Sequence, residues 1–485
     1  MRTKEGTAVI GMQWGDEAKG KIVDIESANH DVVVRYQGGN NAGHTANGVD
    51  LHAIPSGSIR NITSYIASGC AVNLPAIDAE ADNIEQKKPG VDVRGNLHIS
   101  PQASLVQPHQ ILDDGIESAG IGTTHKGIGP HYADKARRMV DGRRVDLRVG
   151  ELLDHPDDVF RMMRRNLKVG TEKVMANPDL SDKQKRVILQ SFGLNKTIDA
   201  YRAATERLIA CIDHDPYWLR TQYENGKRIL LEGAQAEGLD LVRGTTPFVT
   251  SSRTGLYGGL DSTSLPREAI GRVIGVGKLI TSRVGYGPFV SEFGGRKSEL
   301  YCMKDDGKAH TKEIEEAAFG HLIEKMLQSG NALQIGQALR LLTGEYGVTS
   351  KRPRRIGAFD VVQFALAAKI NEVTEVVLSK LDCLNIFSRT KEGMIPLVVG
   401  YMLNGQKIDF IPVDEKTLRK VQPIVEWFPS FTENISRIRA SADLPAAARN
   451  LIHDEIEPRI NGGKVTIAGV GPGPKENVHF GKRAA

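Results

Sequence analysis

The feature that most constrains this chain is a set of short, apolar, β-branched runs, each followed by glycine or polar residues. Helical patterns of apolar residues lie between several of these runs, at 312–328 and at 359–370. Strands that alternate with helices predict an α/β fold, with a large, mainly parallel central sheet flanked by helices. Ligands bind such sheets at the carboxyl ends of the strands. The runs occupy residues 7–10, 31–36, 228–231, 272–276, 375–378 and 464–468.

The segment 145–227 differs from the rest because it is charged, poor in glycine and helical in its pattern. We expect a helix-rich elaboration beside the sheet there. No internal repeat or low-complexity linker interrupts the sequence. Residues 1–485 are therefore predicted to form a single α/β domain that includes this elaboration.

Charge and composition exclude several classes of protein. Lys and Arg number 63 against 59 Asp and Glu, and the net charge of +4 provides no strongly basic field for a nucleic-acid partner. Nowhere do about 18 apolar residues run together, and the polar start of the chain is unlike a signal peptide, so no membrane partner is expected. The four cysteines lie far apart without metal-ligand spacing. Such cysteines are typical of a reducing compartment, and we expect a cytoplasmic protein.

A glycine-rich loop follows the first run. From Gly15 the sequence fits GxxxxGK, in which backbone N–H groups and a lysine surround phosphate oxygens. The Ser or Thr that usually follows the lysine and holds Mg²⁺ is Ile22 here, and Asp16 could supply a hard oxygen ligand instead. A glycine-rich turn between a strand and a helix explains the same residues equally well. The loop consists of Gly15, Asp16, Glu17, Ala18, Lys19, Gly20 and Lys21.

A second polar loop follows the second run, at residues 37–45, and ends in Gly43, His44 and Thr45. Its glycines and asparagines are unsuited to a core and suited to a polar site. A histidine is more often structural than catalytic by type alone, but the neighbours of His44 favour a functional role.

Together the two loops resemble those of the adenylosuccinate synthetase family. The family motif Q-W-G-D-E-G-K-G-K corresponds to residues 13–21, with Ala18 in place of a glycine, and G-N-A-G-H-T corresponds to 40–45, with Asn40 in place of a glycine. Further motifs follow in order. Residues 122–130 resemble G-T-T-G-R-G-I-G-P, 232–235 match E-G-A-Q, 281–289 are similar to T-T-R-V-G-E-G-P-F, and 347–355 resemble G-V-T-T-G-R-P-R-R. The resemblance extends along nearly the whole chain.

The resemblance implies a purine-biosynthetic ligase that condenses IMP with L-aspartate to adenylosuccinate, driven by GTP hydrolysis and requiring Mg²⁺. The purine oxygen is a poor leaving group, so it is first phosphorylated, and the amino group of aspartate then displaces phosphate. Asp16 would take the purine N1 proton and would ligate Mg²⁺ together with the Gly43 carbonyl. His44 would stabilise or protonate the transferring phosphoryl group.

The resemblance carries the remaining site residues over by motif position. Lys19 and Gln235 join Asp16 and His44 as catalytic residues, and the glycine loop, residues 43–45 and Arg354 would contact GTP. An Arg-rich run would close over aspartate, because paired arginine donors suit carboxylates, although a solvated loop is the alternative interpretation. The purine nucleotide would contact Asn41, Thr124, Gln235, Thr250 and Arg352. The aspartate run comprises Val348, Thr349, Ser350, Lys351, Arg352 and Arg354.

A separate motif indicates which base the phosphoryl donor carries. Lys380, Leu381 and Asp382 end a β-branched run and resemble the family's T-K-L-D and the guanine-reading N-K-x-D of GTPases. An aspartate there accepts hydrogen bonds from guanine N1 and N2, which adenine cannot supply. Taken alone, the motif is explained equally well by a solvated aspartate at a strand end. The family's G-x-G-P, which contacts the same ligand, corresponds to Gly469, Val470, Gly471 and Pro472.

A further run, at residues 134–138, parallels the family's D-K-V-A-R-R, whose first arginine reaches the nucleotide of the neighbouring subunit. The run is one residue shorter here, so Arg137 and Arg138 both qualify, and counting forward from Lys135 favours Arg138. The resemblance therefore implies a homodimer with composite sites.

Departures from the family motifs concentrate near the implied substrate. A new acid and new cations around one pocket would alter which purine nucleotide or amino acid is accepted. The same chemistry on another nucleotide, such as dGMP, or on another amino acid is therefore one alternative function, and a catalytically silent GTP-binding regulatory protein is another. Retention of Asp16 and His44 favours IMP–aspartate ligation. The departures are Ala18, His125, Lys126, Ala236, Glu237, Arg243 and Lys351.

Overall fold

In a computed structural model, the chain divides into two compact units. The first comprises Met1–Ala8, Val23–Ala234 and Thr250–Gly271, and the second comprises Val9–Ile22, Gln235–Val249 and Arg272–Ala485. The residues described are 6–117, 123–190, 192–303, 310–347, 351–460, 463–473 and 475–480. The single-domain organisation stays a prediction.

The strands are short, as is usual for α/β proteins. They are β1 (Gly6–Gly11), β2 (Val32–Arg35), β3 (His44–Ala46), β4 (Val49–Leu51), β5 (Thr63–Ile66), β6 (Ala71–Val72), β7 (Leu97–Ile99), β8 (Ser104–Leu105), β9 (Met139–Val140), β10 (Arg143–Arg144), β11 (Ile229–Glu232), β12 (Ile270–Lys278), β13 (Thr281–Arg283), β14 (Arg355–Gly357), β15 (Phe359–Asp360), β16 (Glu375–Ser379), β17 (Met394–Leu403), β18 (Gln406–Ile408), β19 (Gln422–Pro429), β20 (Lys464–Gly469) and β21 (Asn477–His479).

The α-helices of the described chain lie between these strands, singly or in groups. They are α1 (Lys19–Ser27), α2 (Leu74–Lys87), α3 (Val93–Asn96), α4 (Pro108–Glu117), α5 (Ile128–Arg137), α6 (Glu151–Asp154), α7 (Pro156–Ala176), α8 (Asp182–Gln190), α9 (Leu194–Leu208), α10 (Trp218–Glu224), α11 (Leu256–Thr263), α12 (Gly295–Cys302), α13 (Lys312–Phe319), α14 (Ile323–Leu327), α15 (Ala332–Thr343), α16 (Val361–Ile370), α17 (Glu415–Leu418) and α18 (Ala446–Asn450).

Within the first unit, β11, β2, β5 and β7 pair in parallel in that order. Val32, Val33 and Val34 of β2 are almost fully buried, as expected for a strand covered on both faces of a parallel sheet. The register pairs Glu232 with Arg35 at the carboxyl ends of β11 and β2. This end of the sheet therefore carries charged side chains where β2 leads into the second polar loop, which contains His44.

Within the second unit, β12, β16 and β20 pair in parallel, and β21 closes their edge in the antiparallel direction. A smaller sheet pairs β17 with β15 in parallel and with β18 and β19 in antiparallel. The prediction of an α/β fold with mainly parallel pairing of its main strands is confirmed. Each predicted strand run corresponds to one of β1, β2, β11, β12, β16 and β20.

The helices at the two predicted helical patterns differ in their bounds from the prediction. The pattern at 312–328 forms α13 and α14, separated by a 3₁₀ turn that begins at Gly320, because glycine is a weak helix former. The pattern at 359–370 gives a helix only from Val361. Phe359 and Asp360 instead pair with β17, and the Asp360 carboxylate caps the helix by accepting a hydrogen bond from the Gln363 N–H at 3.0 Å.

The segment 145–227 contains α6 to α10. One side of α7 is buried, including Val159, Phe160, Met163 and Leu167, whereas α8 buries none of its side chains. The role of this segment as an elaboration stays a prediction. In the described part of the chain, no helix combines the length and apolar character needed to span a membrane.

Candidate active site

The glycine loop of the second unit connects β1 to α1, which begins at Lys19. A strand, a glycine loop and a helix N-terminus form the context in which GxxxxGK binds phosphate. Buried Glu17 organises the loop, since its carboxylate accepts hydrogen bonds from the Gln13 N–H at 3.2 Å and the Gly15 N–H at 2.7 Å. Its other oxygen lies 2.6 Å from Lys19 Nζ. Glu17 and Lys19 therefore hold the shape of the loop.

Lys21, the lysine of the pattern, joins the glycine loop to the end of the chain. Its Nζ donates to the Gly471 carbonyl at 2.8 Å and to the Glu476 carbonyl at 3.1 Å. Burial lowers the pKa of Lys21 to about 8, although the charges of Glu476 and Asp382 act in the opposite direction. The structure thus brings Lys21, the predicted phosphate-binding lysine, close to Asp382, the predicted guanine-reading aspartate.

The two motifs that are predicted to contact the guanine nucleotide contact each other within the second unit. The Leu381 N–H donates to the Gly469 carbonyl at 3.0 Å. Burial raises the pKa of half-buried Asp382. Lys380 adopts a positive φ of 62°, and its Nζ lies 2.8 Å from the carbonyl of Thr343. The predicted residues Lys380, Leu381, Asp382, Gly469, Val470 and Gly471 therefore share one region of this unit.

Buried Glu345, which was not predicted as a site residue, forms ion pairs with three cationic side chains. Its oxygens lie 3.0 Å from Lys278 Nζ, 2.8 Å from Lys380 Nζ and 2.8 Å from Arg354 Nη1. Burial by itself raises the pKa of this carboxyl, but the three cations hold it well below its usual range. Glu345 lies only three positions before Val348, the start of the aspartate run, and that proximity was the available signal.

Arg354 extends this cluster to the predicted catalytic carboxylate. Its Nη2 lies 2.6 Å from Asp16 Oδ2, while its Nη1 contacts Glu345. Burial opposes the charged form of Arg354, yet Asp16 and Glu345 raise its pKa. The second unit therefore brings Asp16, Arg354 and Lys380 into one charged network.

The rest of the aspartate run is described only in part. Val348, Thr349 and Ser350 lie outside the described residues. Lys351 is exposed with a φ of 54°, and its N–H donates to the Gly347 carbonyl at 2.9 Å. The Gly347 N–H in turn donates to the carbonyl of Arg352, whose side chain is exposed. These bonds form a turn that leads into buried Arg354.

Two of the departures, Glu237 and Arg243, pair with each other in the second unit. Arg243 Nε and Nη2 lie 2.5 Å and 3.1 Å from the two carboxylate oxygens of Glu237. The new acid and this new cation thus form a bidentate ion pair. Gln235, which precedes the pair, has a positive φ of 53°.

His44 begins β3 in the first unit and is oriented by a buried carboxylate. Its Nε2 lies 2.9 Å from Ser56 Oγ and 3.4 Å from Glu232 Oε1. Glu232 also accepts hydrogen bonds from the Ser56 N–H at 2.7 Å and the Ser56 hydroxyl at 2.9 Å, and it lies 3.3 Å from Arg35 Nη2. Burial raises the pKa of Glu232, but Arg35, His44 and Ser56 together bring it below its ordinary value.

The orienting roles of Glu232, Ser56 and Arg35 were not predicted from the sequence. Glu232 appeared there only as the first letter of E-G-A-Q, and its cross-strand pairing with Arg35 needs the register of β11 on β2.

The second polar loop is fixed to the turn after β11. The Gln37 amide exchanges two hydrogen bonds with the backbone of Ala234, at 2.7 Å and 3.1 Å. Inside the loop, the Gly39 N–H donates to Asn41 Oδ1 at 3.1 Å. Gly43 and Thr45 are exposed at its end, and the Thr45 hydroxyl donates to Asp50. The loop therefore presents Asn41, Gly43 and His44 from one ordered segment.

The remaining predicted residues of the first unit are accessible. Thr124 is exposed, and the neighbouring His125 has a φ of 54°. Arg138 follows α5 with a φ of 62° and is exposed, as is Arg137, whose Nη1 lies 3.9 Å from Asp134. Thr250 is partly buried. Their contacts with substrate stay predictions.

Asp16 and His44 belong to different units, and their convergence on one substrate stays a prediction. No group of three or more His, Cys, Asp or Glu side chains in the described chain could hold a metal ion. Mg²⁺ at nucleotide sites usually takes one or two protein ligands, with waters and phosphates completing its shell. Exposed Asp16 fits this limited role.

The chain is similar to known proteins along nearly its whole length. The family model described as adenylosuccinate synthetase matches residues 8–478. Adenylosuccinate synthetase 2 of Cupriavidus pinatubonensis is 37% identical over 405 residues, which cover 82% of this chain and 84% of that protein. Adenylosuccinate synthetase of Cutibacterium acnes is 35% identical over 489 residues, with 98% of each chain covered.

A solved structure gives the same result for the fold. The fully ligated adenylosuccinate synthetase of Plasmodium falciparum matches with a TM-score of 0.78 and 28% identity, covering 98% of this chain and 100% of that chain. The resemblance carried by the loop motifs is thereby confirmed. The chain belongs to the adenylosuccinate synthetase family.

Proposed function

We propose that this chain is a C–N ligase that condenses IMP with L-aspartate to adenylosuccinate, with GTP converted to GDP and phosphate, in AMP biosynthesis. The observation that carries the proposal is the family match over residues 8–478. Retention of Asp16 and His44, each held by defined partners, supports active chemistry rather than silent GTP binding.

In the first step, Asp16 accepts the N1 proton of IMP, and the purine O6 attacks the γ-phosphorus of GTP as the bond to the GDP oxygen breaks. His44, oriented by Ser56 and Glu232, donates a hydrogen bond to the transferring phosphoryl oxygens. In the second step, the neutral amino nitrogen of aspartate attacks C6 of 6-phosphoryl-IMP, the C6–O bond breaks, and the attacking nitrogen loses a proton, which leaves with the phosphate.

Mg²⁺, held by the Asp16 carboxylate and the Gly43 carbonyl, would neutralise phosphate charge when bound. Lys21 and the N-terminus of α1 bind GTP phosphates, and Asp382 accepts hydrogen bonds from the guanine edge. Arg352 and Arg354 bind the carboxylates of aspartate. Arg354 must then exchange part of its contact with Asp16 for substrate.

The oligomeric state belongs to the same proposal. Arg138, or its neighbour Arg137, would reach the nucleotide of a second subunit in a homodimer, and both side chains are exposed. Sedimentation analysis would measure the dimer, and mixing inactive Arg138→Ala subunits with inactive Asp16→Asn subunits should restore activity if sites are composite.

The direct test is to incubate the purified protein with GTP, Mg²⁺, IMP and aspartate, and to follow adenylosuccinate and GDP by chromatography. Product should require all four components. Parallel reactions replace IMP with dGMP, or aspartate with other amino acids. Turnover only with a replacement would assign the alternative substrate, and GTP binding without turnover of any combination would support the silent protein.

A further inference from the structure

Glu237 and Arg243 form an ion pair within the second unit. Glu237 is only 5% exposed, and besides its two bonds from Arg243 it accepts one from Asn371 Nδ2 at 3.0 Å. Arg243 Nη2 also lies 3.6 Å from Asp240 Oδ2. The Glu237 carboxylate is buried, whereas the Arg243 side chain is 23% exposed, so removing the arginine would leave a buried charge without compensation, which is strongly destabilising.

The Glu237–Arg243 ion pair joins residues near the two ends of the segment 236–245. The Asp240 carboxylate accepts the N–H groups of Val242 and Arg243 at 3.0 Å and 3.1 Å, and the Gly244 N–H donates to the Asp240 carbonyl at 2.8 Å. The Glu237 and Arg243 side chains join the two ends of this turn. The segment therefore has one ordered shape.

This segment lies directly against the glycine loop. The Gly238 N–H donates to the Gln13 carbonyl at 2.8 Å, and a Cβ added at Gly238 would lie 2.5 Å from that oxygen and 2.7 Å from Trp14 Nε1. Gln13 is itself fixed, since its amide bonds to the backbone of Lys278 in both directions. The pair thus holds the segment at a position three residues before Asp16.

Gln235 lies at the start of the same segment. Its carbonyl is packed so closely on the end of β1 that a Cβ added at Gly11 would lie 2.8 Å away. Movement of the segment would therefore displace Gln235 relative to the glycine loop.

We infer that Glu237 and Arg243 are positioning residues for Gln235: their ion pair fixes the segment 236–245 against the glycine loop, and so fixes the side chain that contacts the purine nucleotide. The contact of Gln235 with the purine nucleotide rests on the proposed function, whereas the fixing of the segment 236–245 by the ion pair does not. Glu237 and Arg243, which both depart from the family motif, therefore depend on each other, and together they preserve the contact of Gln235 with the purine nucleotide.

The test is a double-mutant cycle of Glu237→Thr, Arg243→His and the double variant, which carry the residues that the family motif has at these positions. Three quantities are measured: unfolding temperature, hydrogen exchange of the peptide 235–245, and the calorimetric dissociation constant for IMP. Each single variant should lower the unfolding temperature, speed exchange and weaken IMP binding by about tenfold, which is about 1.4 kcal/mol. The double variant should recover to within about twofold of the wild type.

The contacts also predict which single variant is worse. Arg243→His leaves the buried Glu237 carboxylate with the Asn371 amide, whereas Glu237→Thr leaves Arg243 beside Asp240. Arg243→His should therefore lower the unfolding temperature more than Glu237→Thr does. If it does not fold, Arg243→Lys, which keeps the positive charge but cannot form the bidentate pair with Glu237, takes its place in the cycle.

A matched control is the bidentate pair Arg272–Glu375, with distances of 2.7 Å and 3.1 Å between β12 and β16. Arg272→Met should lower the unfolding temperature without changing IMP affinity or exchange in 235–245. Additive effects in the cycle, or equal weakening of GTP and IMP binding, would overturn the inference. If the wild type fails to bind IMP, the proposed function fails, and the exchange data still decide whether the pair fixes the segment.

Discussion

Arg354 Nη2 lies 2.6 Å from Asp16 Oδ2, so the arginine assigned to aspartate binding and the carboxylate assigned to proton transfer contact each other within one unit. Asp16 remains partly exposed, and Arg354 is anchored on its other side by Glu345. An ion pair of this kind orders a catalytic carboxylate before substrate arrives. Both residues therefore serve two roles, one in the free protein and one in the proposed reaction.

Asp16→Asn should abolish turnover while leaving the fold intact. The amide cannot accept the N1 proton, and general-base catalysis contributes about 10²- to 10⁴-fold. We expect kcat for adenylosuccinate formation to fall by at least that factor. Asp158→Asn, in the exposed first turn of α7, is the control and should keep full activity. Full activity of Asp16→Asn would contradict the assignment.

Glu345→Gln should destabilise the second unit and weaken binding of GTP and aspartate together. The isosteric amide removes the carboxylate that contacts Lys278, Lys380 and Arg354, and it leaves Lys278, which is 1% exposed, without its ion-pair partner. Breaking a buried ion pair typically costs about 3–5 kcal/mol. Chemical denaturation measures this cost, and initial rates give KM for each substrate. A loss of stability with unchanged KM values would limit Glu345 to a structural role.

Strands were predictable from the sequence because those of a parallel sheet are buried on both faces and appear as continuous apolar runs, as in β2. The glycine loop and the motif that ends in Asp382 could be recognised as candidate nucleotide-binding motifs because the residues of each are contiguous in the sequence. Glu345 was not visible, since its partners Lys278 and Lys380 are distant in the chain and only the fold brings them together. The pairing of Glu237 with Arg243 was hidden for another reason, because each appeared as a separate departure from the family.

The pH dependence of GTP binding should report on Lys21. Burial lowers the pKa of its ammonium from 10.5 to about 8, so the free protein loses this charge as the pH rises through 8. We expect kcat/KM for GTP to fall above about pH 8, because the neutral amine attracts phosphate less. Lys21→Arg, which stays charged, should shift this decline to higher pH, and identical profiles would show that another group titrates.

The same pKa shift has the opposite effect on folding. Between pH 8 and 10.5 the unfolded chain binds more protons at Lys21 than the folded chain does. The contribution of Lys21 to the free energy of unfolding is therefore least favourable below pH 8 and improves as the pH rises through this window. Denaturation at pH 7 and pH 9.5, compared between the wild type and Lys21→Met, isolates this contribution from other titrating groups.

Ala18→Gly should stabilise the protein, although the same substitution usually destabilises. Ala18 is exposed and has a φ of 75°, so its methyl group makes no core contact and stands in the left-handed region that favours glycine. That conformation costs an L-residue about 1–2 kcal/mol. We expect the free energy of unfolding to rise by about 1 kcal/mol, after allowance for the greater freedom of glycine in the unfolded chain.

The control for this prediction is Ala317→Gly, at an exposed position of α13, which should instead lower the free energy of unfolding by about 1 kcal/mol. The two variants make the same chemical change and differ in the backbone conformation that they meet. Opposite signs in urea denaturation would show that the alanine at position 18 strains the glycine loop. Equal destabilisation would mean that the loop does not hold the positive φ, and the steric account of this departure would be wrong.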